Sequence, residues 1–258
     1  MKPILDAKLA AKLADLQERL RALGSVVVAF SGGLDSAVLL RVAVETLGCQ
    51  RVLAVTGRSP SVPSAELNSV AAMATEYGAA HEFLDTHEFD DPRYRANPTN
   101  RCYFCKTDLY TRLVPLAHAR GFAAVISGTN ADDLGDFRPG IEAGRENRVH
   151  TPLAEAGITK GELRTLAACL EMPIHDKPAS PCLSSRVQYD EEVTPEKLEL
   201  IQRINVGGVL WGIQAAAAKF RELERGGKII NAASIAAHDG FAMLGIYSAS
   251  KFAVRGLT

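Results

Sequence analysis

The sequence has little net charge, few aromatic residues and no long apolar run. Its 258 residues include 29 basic and 30 acidic side chains, for a formal net charge of −1. This balance gives no electrostatic support for a nucleic-acid surface. No window approaches the length of a transmembrane span, and residues 1–23 lack the apolar region of a signal peptide. We therefore expect a cytoplasmic protein with no nucleic-acid or membrane partner.

Strands and helices alternate along the chain as in an α/β domain with a doubly wound parallel sheet. The apolar run at 26–30 has no polar alternation, which is typical of a strand buried on both faces. Further strands are predicted at 51–56, 81–84 and 123–127, and helices at 63–77, 97–120 and 159–170. Residues 177–181 are predicted to form an extended, proline-rich loop.

The most informative segment is the turn that follows the first strand. It contains Ser31, Gly32, Gly33, Asp35 and Ser36, and a helical pattern comes directly after it. Two glycines let backbone N–H groups approach an anion, the next helix directs its positive end there, and the serines add hydroxyl donors. The turn lacks the lysine of the Walker loop. A phosphate site is the favoured interpretation, with an ordinary tight turn as the alternative.

A second turn, Gly128, Thr129 and Asn130, follows the fourth predicted strand. In doubly wound sheets, ligands lie at the carboxyl ends of the strands. We therefore expect this turn to lie near the first one.

Three of the five cysteines are placed for sulfur or metal chemistry. Cys102 and Cys105 are spaced i, i+3, which puts both thiols on one helical face, able to bind one metal centre. Cys182 lies in a proline-bounded loop, where Arg186 favours the thiolate. The three together would leave one iron of an Fe–S cluster open to a non-protein ligand.

Two alternatives stay open for these cysteines. One is a zinc site with a fourth ligand such as His118, and the other is simply buried thiols. Cys49 and Cys169 are interpreted as core residues. Reduced thiols are expected throughout, because a cytoplasmic setting disfavours disulfides.

The first turn resembles the PP-loop signature S-G-G-x-D-S of ATP pyrophosphatases, which cleave ATP between the α- and β-phosphates and pass AMP to an acceptor oxygen. Residues 1–203 more closely resemble the ATP-dependent sacrificial sulfur transferases of nickel-pincer nucleotide synthesis. The resemblance rests on VAFSGGLDS, AVTGRSPSVP, NRCYFCK, SGTNADDLGDFRPG and DKPASPCLSSR, in family order. It implies that ATP adenylylates a carboxylate of a pyridinium dicarboxylate mononucleotide and that sulfur then displaces AMP to give a thiocarboxylate.

The resemblance also implies roles for particular residues. In one branch of the family the cysteine matching Cys182 gives up its own sulfur; in another, three cysteines hold a [4Fe-4S] cluster. With Cys102, Cys105 and Cys182 all present, this chain resembles the second branch. Magnesium is expected to bridge the phosphates. The residues expected to hold nucleotide or substrate are Ser31, Gly32, Gly33, Asp35, Ser36, Gly128, Thr129, Asn130, Arg138 and Arg186. Asp132 and Asp136 are candidate metal contacts, and for them and Arg138 a loop without ligand contact is the alternative.

From about residue 205 the sequence resembles the catalytic half of short-chain dehydrogenases of the acetoin or diacetyl reductase kind. Tyr247 and Lys251 form Y-x-x-x-K, in which the lysine assists a tyrosine proton donor. Ser234 matches the serine that polarises the carbonyl, and Asn205 matches the helix asparagine of that family. The glycine turn, the leading βαβ unit and the ribose-binding acid of a dinucleotide site are missing.

The chain is therefore interpreted as a fusion of a sulfur transferase domain, residues 1–203, with a reductase segment, residues 204–258. The segment is predicted to form a helix, a strand at 228–232 and a second helix. The favoured function is ATP-dependent sulfur transfer, with a small nucleotide substrate and a homo-oligomeric state. The alternatives are an NAD(P)-dependent carbonyl reductase and a PP-loop tRNA thiolase.

Overall fold

A computed structural model describes residues 5–62, 64–176, 182–233 and 245–257. The predicted loop at 177–181 lies outside the described residues. The chain divides into two compact units, one formed by Met1–Tyr94 with Pro98–Ala179 and the other by Arg95–Asn97 with Ser180–Thr258. In the described part of the chain, no helix combines the length and apolarity needed to cross a membrane.

The first unit is built on a four-stranded parallel sheet with the order β3-β2-β1-β4. Its strands are β1 (Val26–Ala29), β2 (Val52–Arg58), β3 (Ala80–Asp85) and β4 (Ala124–Ser127). The strand order reverses between β1 and β4, because the chain adds β2 and β3 on one side of β1 and β4 on the other. Doubly wound sheets form a ligand crevice where the order reverses in this way.

The helices of this unit cover both faces of the sheet, as the sequence predicts. They are α1 (Ala7–Leu23), α2 (Leu34–Leu47), α3 (Ser64–Glu76), α4 (Pro92–Arg95), α5 (Arg101–Ala119), α6 (Pro139–Glu146), α7 (Pro152–Glu155) and α8 (Lys160–Cys169). Helix α5 begins four residues later than predicted, because Asn97 takes a φ of 55° and Pro98 follows it.

Two apolar cores explain why the strands lack polar alternation. Val26 and Val28 face a core shared with α1, α2, α3 and α8, whereas Val27 faces a core shared with α5 and α6. Alternate residues of a strand point to opposite faces of the sheet. Because both faces are covered, every position of β1 and the first four positions of β2 are apolar.

The second unit is largely helical. It contains α9 (Pro195–Gln202), a π-helical turn at Arg203–Gly207, α10 (Gly208–Glu222) and α11 (Gly245–Leu257), which contacts that turn. The two helices predicted for the reductase segment are present. The predicted strand at 228–232 is wrong: residues 228–232 are irregular, and Ile230 is 90% exposed. A strand needs a neighbour to satisfy its N–H and C=O groups, and the described residues of this unit contain none.

The close approach of β4 to α2 depends on a glycine. A Cβ atom on Gly128 would lie 2.8 Å from the backbone nitrogen of Ser36 and 3.0 Å from its Cα. Both neighbours are backbone atoms in the first turn of α2, so no side-chain rotation can relieve the overlap. Gly128 thus lets the turn after β4 lie directly against the start of α2.

Replacing Gly128 with alanine should destabilise the first unit by about 1–3 kcal/mol, because the added methyl overpacks the contact with α2. The measurement is the urea unfolding midpoint of the whole chain. Gly135→Ala is the matched control, since a Cβ atom there meets nothing within 4 Å. Equal midpoints for the two variants would show that this contact does not constrain the fold.

Candidate functional site

The first candidate turn leaves β1 and starts α2, as the sequence predicts. Gly32 has a φ of +70°, and a Cβ atom there would lie 2.3 Å from Val70 Cγ1, so the fold itself requires a glycine. Gly33 has an ordinary φ of −79°, and its nearest obstacle is Ser31 Oγ at 3.4 Å. The fold does not demand a glycine at position 33, because a Cβ atom there would make no contact closer than this one.

Two serine hydroxyls cross-link the turn. Ser36 Oγ donates to the Gly33 carbonyl at 3.1 Å and lies 3.1 Å from Ser31 Oγ. Ser31 Oγ in turn accepts the Gly33 N–H at 3.4 Å. Gly33 is the N-cap of α2 and provides no side-chain cap, unlike Asp6, Thr159 and Thr194, which cap α1, α8 and α9. The positive amino end of α2 therefore has no side-chain cap. Hydroxyl and amide groups surround it, which is an arrangement suited to an anion.

The second turn lies beside the first, as predicted. Ala29 of β1 pairs with Ser127 of β4, so the two strands end at the same level. Asn130 is buried, and its Nδ2 lies 3.5 Å from Asp35 Oδ2. The side chains of Ser127 and Thr129 lie 3.2 Å apart through their hydroxyl oxygens. The crevice between β1 and β4 is thus lined by the residues of both turns.

A lysine that the sequence analysis did not single out completes this cluster. Lys160 is the first residue of α8, and its Nζ lies 2.6 and 2.8 Å from the two carboxylate oxygens of Asp35. The two residues are 125 positions apart in the chain, so no local motif connects them. The sequence feature that could have pointed to Lys160 is its positive charge at the amino end of a predicted helix, where the helix dipole disfavours a cation.

The acidic loop after the second turn makes mainly local contacts. Asp132 Oδ2 accepts a hydrogen bond from the backbone N–H of Lys160 at 2.9 Å and so caps the start of α8. Asp136 pairs with Arg138 at 3.1 Å, and Arg138 also lies 3.3 Å from Asp133. Each of the three predicted residues, Asp132, Asp136 and Arg138, therefore has a partner within the protein. Their roles in binding metal or substrate stay predictions.

The cysteine pair lies at the start of α5. Cys102 is exposed and Cys105 is half-buried, one turn apart on the helix. His118 is on the same helix, about 20 Å farther along its axis than Cys105 at about 1.5 Å per residue. It cannot be a fourth ligand beside these thiols, so that version of the zinc alternative is wrong. Cys102 and Cys105 can still act as two thiolate donors.

The remaining thiols behave partly as predicted. Cys182 is exposed and precedes the short turn Leu183–Arg186 in the second unit. Cys169 is half-buried, but the prediction that Cys49 belongs to the core is wrong, because it lies exposed beyond the Gly48 that ends α2. None of the five cysteines, all within the described residues, forms a disulfide. Across the described ranges, no three His, Cys, Asp or Glu side chains are grouped to hold a metal ion.

The reductase residues are only partly described. Asn205 lies in the π-helical turn before α10, Tyr247 lies on α11, and Ser234 is outside the described residues. Lys251 Nζ donates to the Ala232 carbonyl at 3.0 Å. The described residues therefore do not form a reductase site.

A histidine lies beneath the first turn. His81 Nε2 lies 2.9 Å from Thr56 Oγ1, which donates to the Phe30 carbonyl at 2.7 Å. Phe30 directly precedes the turn, and its ring meets the His81 ring edge-on at 6.4 Å between centroids. Burial lowers the pKa of His81 below its ordinary value of 6.5, against a smaller opposing effect of Glu82. His81 is therefore neutral in the native state at neutral pH.

Comparison with known proteins relates the first part of the chain to a known family. The NAD synthase family model matches residues 8–130. An uncharacterized protein from Synechocystis is 46% identical over 198 residues, 77% of this chain and 74% of that protein. The pyridinium-3,5-bisthiocarboxylic acid mononucleotide synthase of Lactiplantibacillus plantarum is 34% identical over 192 residues, 74% of this chain and 70% of that protein. The chain belongs to the family of this synthase. Its first turn is therefore a PP-loop, and the chain is an enzyme of the ATP pyrophosphatase type that uses ATP.

A second family matches the end of the chain. The short chain dehydrogenase model covers residues 182–258. The L-2,3-butanediol dehydrogenase of Corynebacterium glutamicum is 63% identical over 67 residues, which are 26% of this chain and 26% of that protein. Both resemblances found in the sequence are thus confirmed, and the segment that matches the butanediol dehydrogenase is about a quarter of that protein.

The stability of the protein should fall as the pH drops below about 6.5, because the unfolded state then binds a proton that native His81 binds less readily. His81→Gln should flatten this part of the profile, since glutamine keeps a donor for Thr56 without titrating. The measurement is the urea midpoint of both proteins between pH 8 and pH 5. Parallel profiles would remove His81 as the source of the acid sensitivity.

Proposed function

We propose that the protein is an ATP-dependent sulfur transferase that converts a carboxylate of a pyridinium dicarboxylate mononucleotide into a thiocarboxylate. The observation that supports this most strongly is the PP-loop, which lies against the Gly128 turn in a chain of the synthase family. The reaction has two steps. A carboxylate oxygen attacks the α-phosphorus of ATP and expels pyrophosphate, and a sulfur nucleophile then attacks the acyl carbon and expels AMP.

The first step requires the PP-loop to hold the leaving group. Ser31, Gly32, Gly33, Asp35 and Ser36 are proposed to bind the β- and γ-phosphates through backbone N–H groups, hydroxyls and the amino end of α2. Negative charge grows on pyrophosphate as it departs, so donors fixed in advance stabilise the transition state more than the ground state. Magnesium bound with the phosphates would neutralise part of that charge.

The second turn and two arginines are proposed to hold the rest of the reactants. Gly128, Thr129 and Asn130 lie across the crevice from the PP-loop, where the adenylate part of ATP would extend. Arg138 and Arg186 are proposed to bind the substrate phosphate or carboxylate, because a guanidinium can form two parallel hydrogen bonds to such groups. Asp132 and Asp136 remain proposed metal contacts.

The sulfur supply is proposed to depend on three cysteines, Cys102, Cys105 and Cys182. Their thiols are the donor type that Fe–S clusters require, and Cys102 and Cys182 are exposed. Cys102, Cys105 and Cys182 would hold a [4Fe-4S] cluster, which would serve as the sulfur source when bound. Cys182 alone, giving up its own sulfur, is the other branch of the family.

The division of the chain at 203/204 is part of the same proposal. Residues 1–203 would carry the activity, and residues 204–258 would replace the end of the sulfur transferase with a reductase segment. A cytoplasmic location and a homo-oligomer remain predictions from the sequence.

Gly33→Val should abolish binding of pyrophosphate and weaken binding of AMP while the fold persists, since position 33 has an ordinary φ and a Cβ atom there would meet only Ser31 Oγ, at 3.4 Å. The isopropyl group would occupy the volume proposed for a phosphate. Calorimetric titration gives the affinities, and an unchanged urea midpoint verifies folding. Unchanged pyrophosphate affinity in the folded variant would mean that the turn is not the phosphate site.

Serine substitution at Cys102, Cys105 or Cys182 should lower the iron and sulfide content of anaerobically purified protein, because each change removes one cluster ligand. Cys49→Ser and Cys169→Ser are the matched controls and should keep the wild-type content. Iron loss that follows only Cys102 and Cys105, or zinc in place of iron, would contradict the three-cysteine cluster.

The protein should not consume NADH with diacetyl, although Tyr247 and Lys251 are present. Hydride transfer requires the nicotinamide to be held against the carbonyl, and such positioning supplies about 7–11 kcal/mol of barrier reduction. The sequence has no dinucleotide-binding glycine turn. NADH consumption that disappears in Tyr247→Phe would instead establish the reductase function.

A further inference from the structure

A buried carboxyl group lies outside the PP-loop, where β2 and β3 end. Glu88, in the short turn after β3, is 2% exposed, and Ser61 and Tyr94 beside it are buried as well. Glu88 Oε1 accepts hydrogen bonds from Ser59 Oγ at 2.6 Å and from Ser61 Oγ at 3.1 Å. Ser61 Oγ also lies 2.7 Å from the Tyr94 hydroxyl oxygen. These four side chains form what we call the Glu88 cluster.

The second oxygen of this carboxyl group has no partner within the protein. Glu88 Oε2 is buried, and no described residue lies within hydrogen-bond distance of it. Its neighbours Asp85 and Asp91 each pair with an arginine, whereas Glu88 forms no ion pair with a described residue. A buried carboxylate is strongly unfavourable without a counter-charge, and neutral hydroxyl groups do not supply one. Protonation of Glu88 would still leave Oε2 without an acceptor.

The chemistry of the Glu88 cluster suits a small, hard cation. Carboxylate and hydroxyl oxygens bind hard cations, in contrast to the thiolates that soft metals prefer. The cluster contains a single carboxyl group, so a monovalent cation balances its charge, whereas a divalent cation leaves a positive charge buried. We propose that the cluster binds a potassium or sodium ion through Glu88 Oε2 and the neighbouring hydroxyl oxygens. The ion secures residues 59–62, which leave β2, to the turn after β3, and the proposal does not depend on the ATP chemistry.

The test is the thermal unfolding midpoint of the whole protein, without nucleotide, in potassium, sodium or N-methylglucamine chloride at constant ionic strength. N-methylglucamine is too large to enter a buried site. Potassium or sodium should raise the midpoint by roughly 3–6 °C above that in N-methylglucamine, the shift expected from a ligand at about ten times its dissociation constant. A shift in either salt supports the proposal and identifies the ion.

Two variants assign the shift to the cluster. Glu88→Gln keeps the shape of the side chain but removes its charge, so its midpoint should be the same in all three salts. Ser59→Ala removes one hydroxyl oxygen and should reduce the shift, which keeps the test decisive if Glu88→Gln does not fold. Glu76→Gln is the matched control, because Glu76 is an exposed carboxyl group of the same unit, and it should keep the full shift. Equal wild-type midpoints in the three salts, or a full shift in Glu88→Gln or Ser59→Ala, would overturn the proposal.

Discussion

The candidate site depends on the contact between Gly128 and the first turn of α2. Parallel pairing of β1 with β4 brings two turns to the same edge of the sheet, but only a residue without a side chain lets their backbones touch. This contact sets the width of the crevice between the turns. Asn130 and Lys160 can then both reach Asp35, although they come from distant parts of the chain. The arrangement of the candidate site thus follows from a backbone packing constraint rather than from any single side chain.

Much of this arrangement could be predicted from the sequence. The uninterrupted apolar run at 26–30 indicated a strand covered on both faces, and the two cores confirm it. The proximity of the two turns followed from the rule that parallel strands end at one edge. The sequence did not distinguish the glycines: Gly32 is required by its positive φ and by Val70, whereas Gly33 is not required by the fold. Lys160 was missed because its partner lies 125 residues away.

The least predictable part was the end of the chain. The end of the chain matches the helices of the dehydrogenase family but does not contain the sheet on which those helices normally pack. The predicted strand at 228–232 failed for that reason, since strand formation requires a neighbouring strand that this unit does not contain among its described residues. Helices satisfy their own backbone hydrogen bonds, so α10 and α11 form without the rest of that fold. Trp211 of α10 is 55% exposed, which leaves an apolar side chain without a core.

The central claim is that this PP-loop cleaves ATP between the α- and β-phosphates to activate a carboxylate. The most direct test is to incubate the whole protein with ATP, magnesium and a pyridinium dicarboxylate mononucleotide and to separate the nucleotide products. The account predicts AMP and pyrophosphate in equal amounts, formed only when the carboxylate substrate is present. ADP and inorganic phosphate as the products would contradict it.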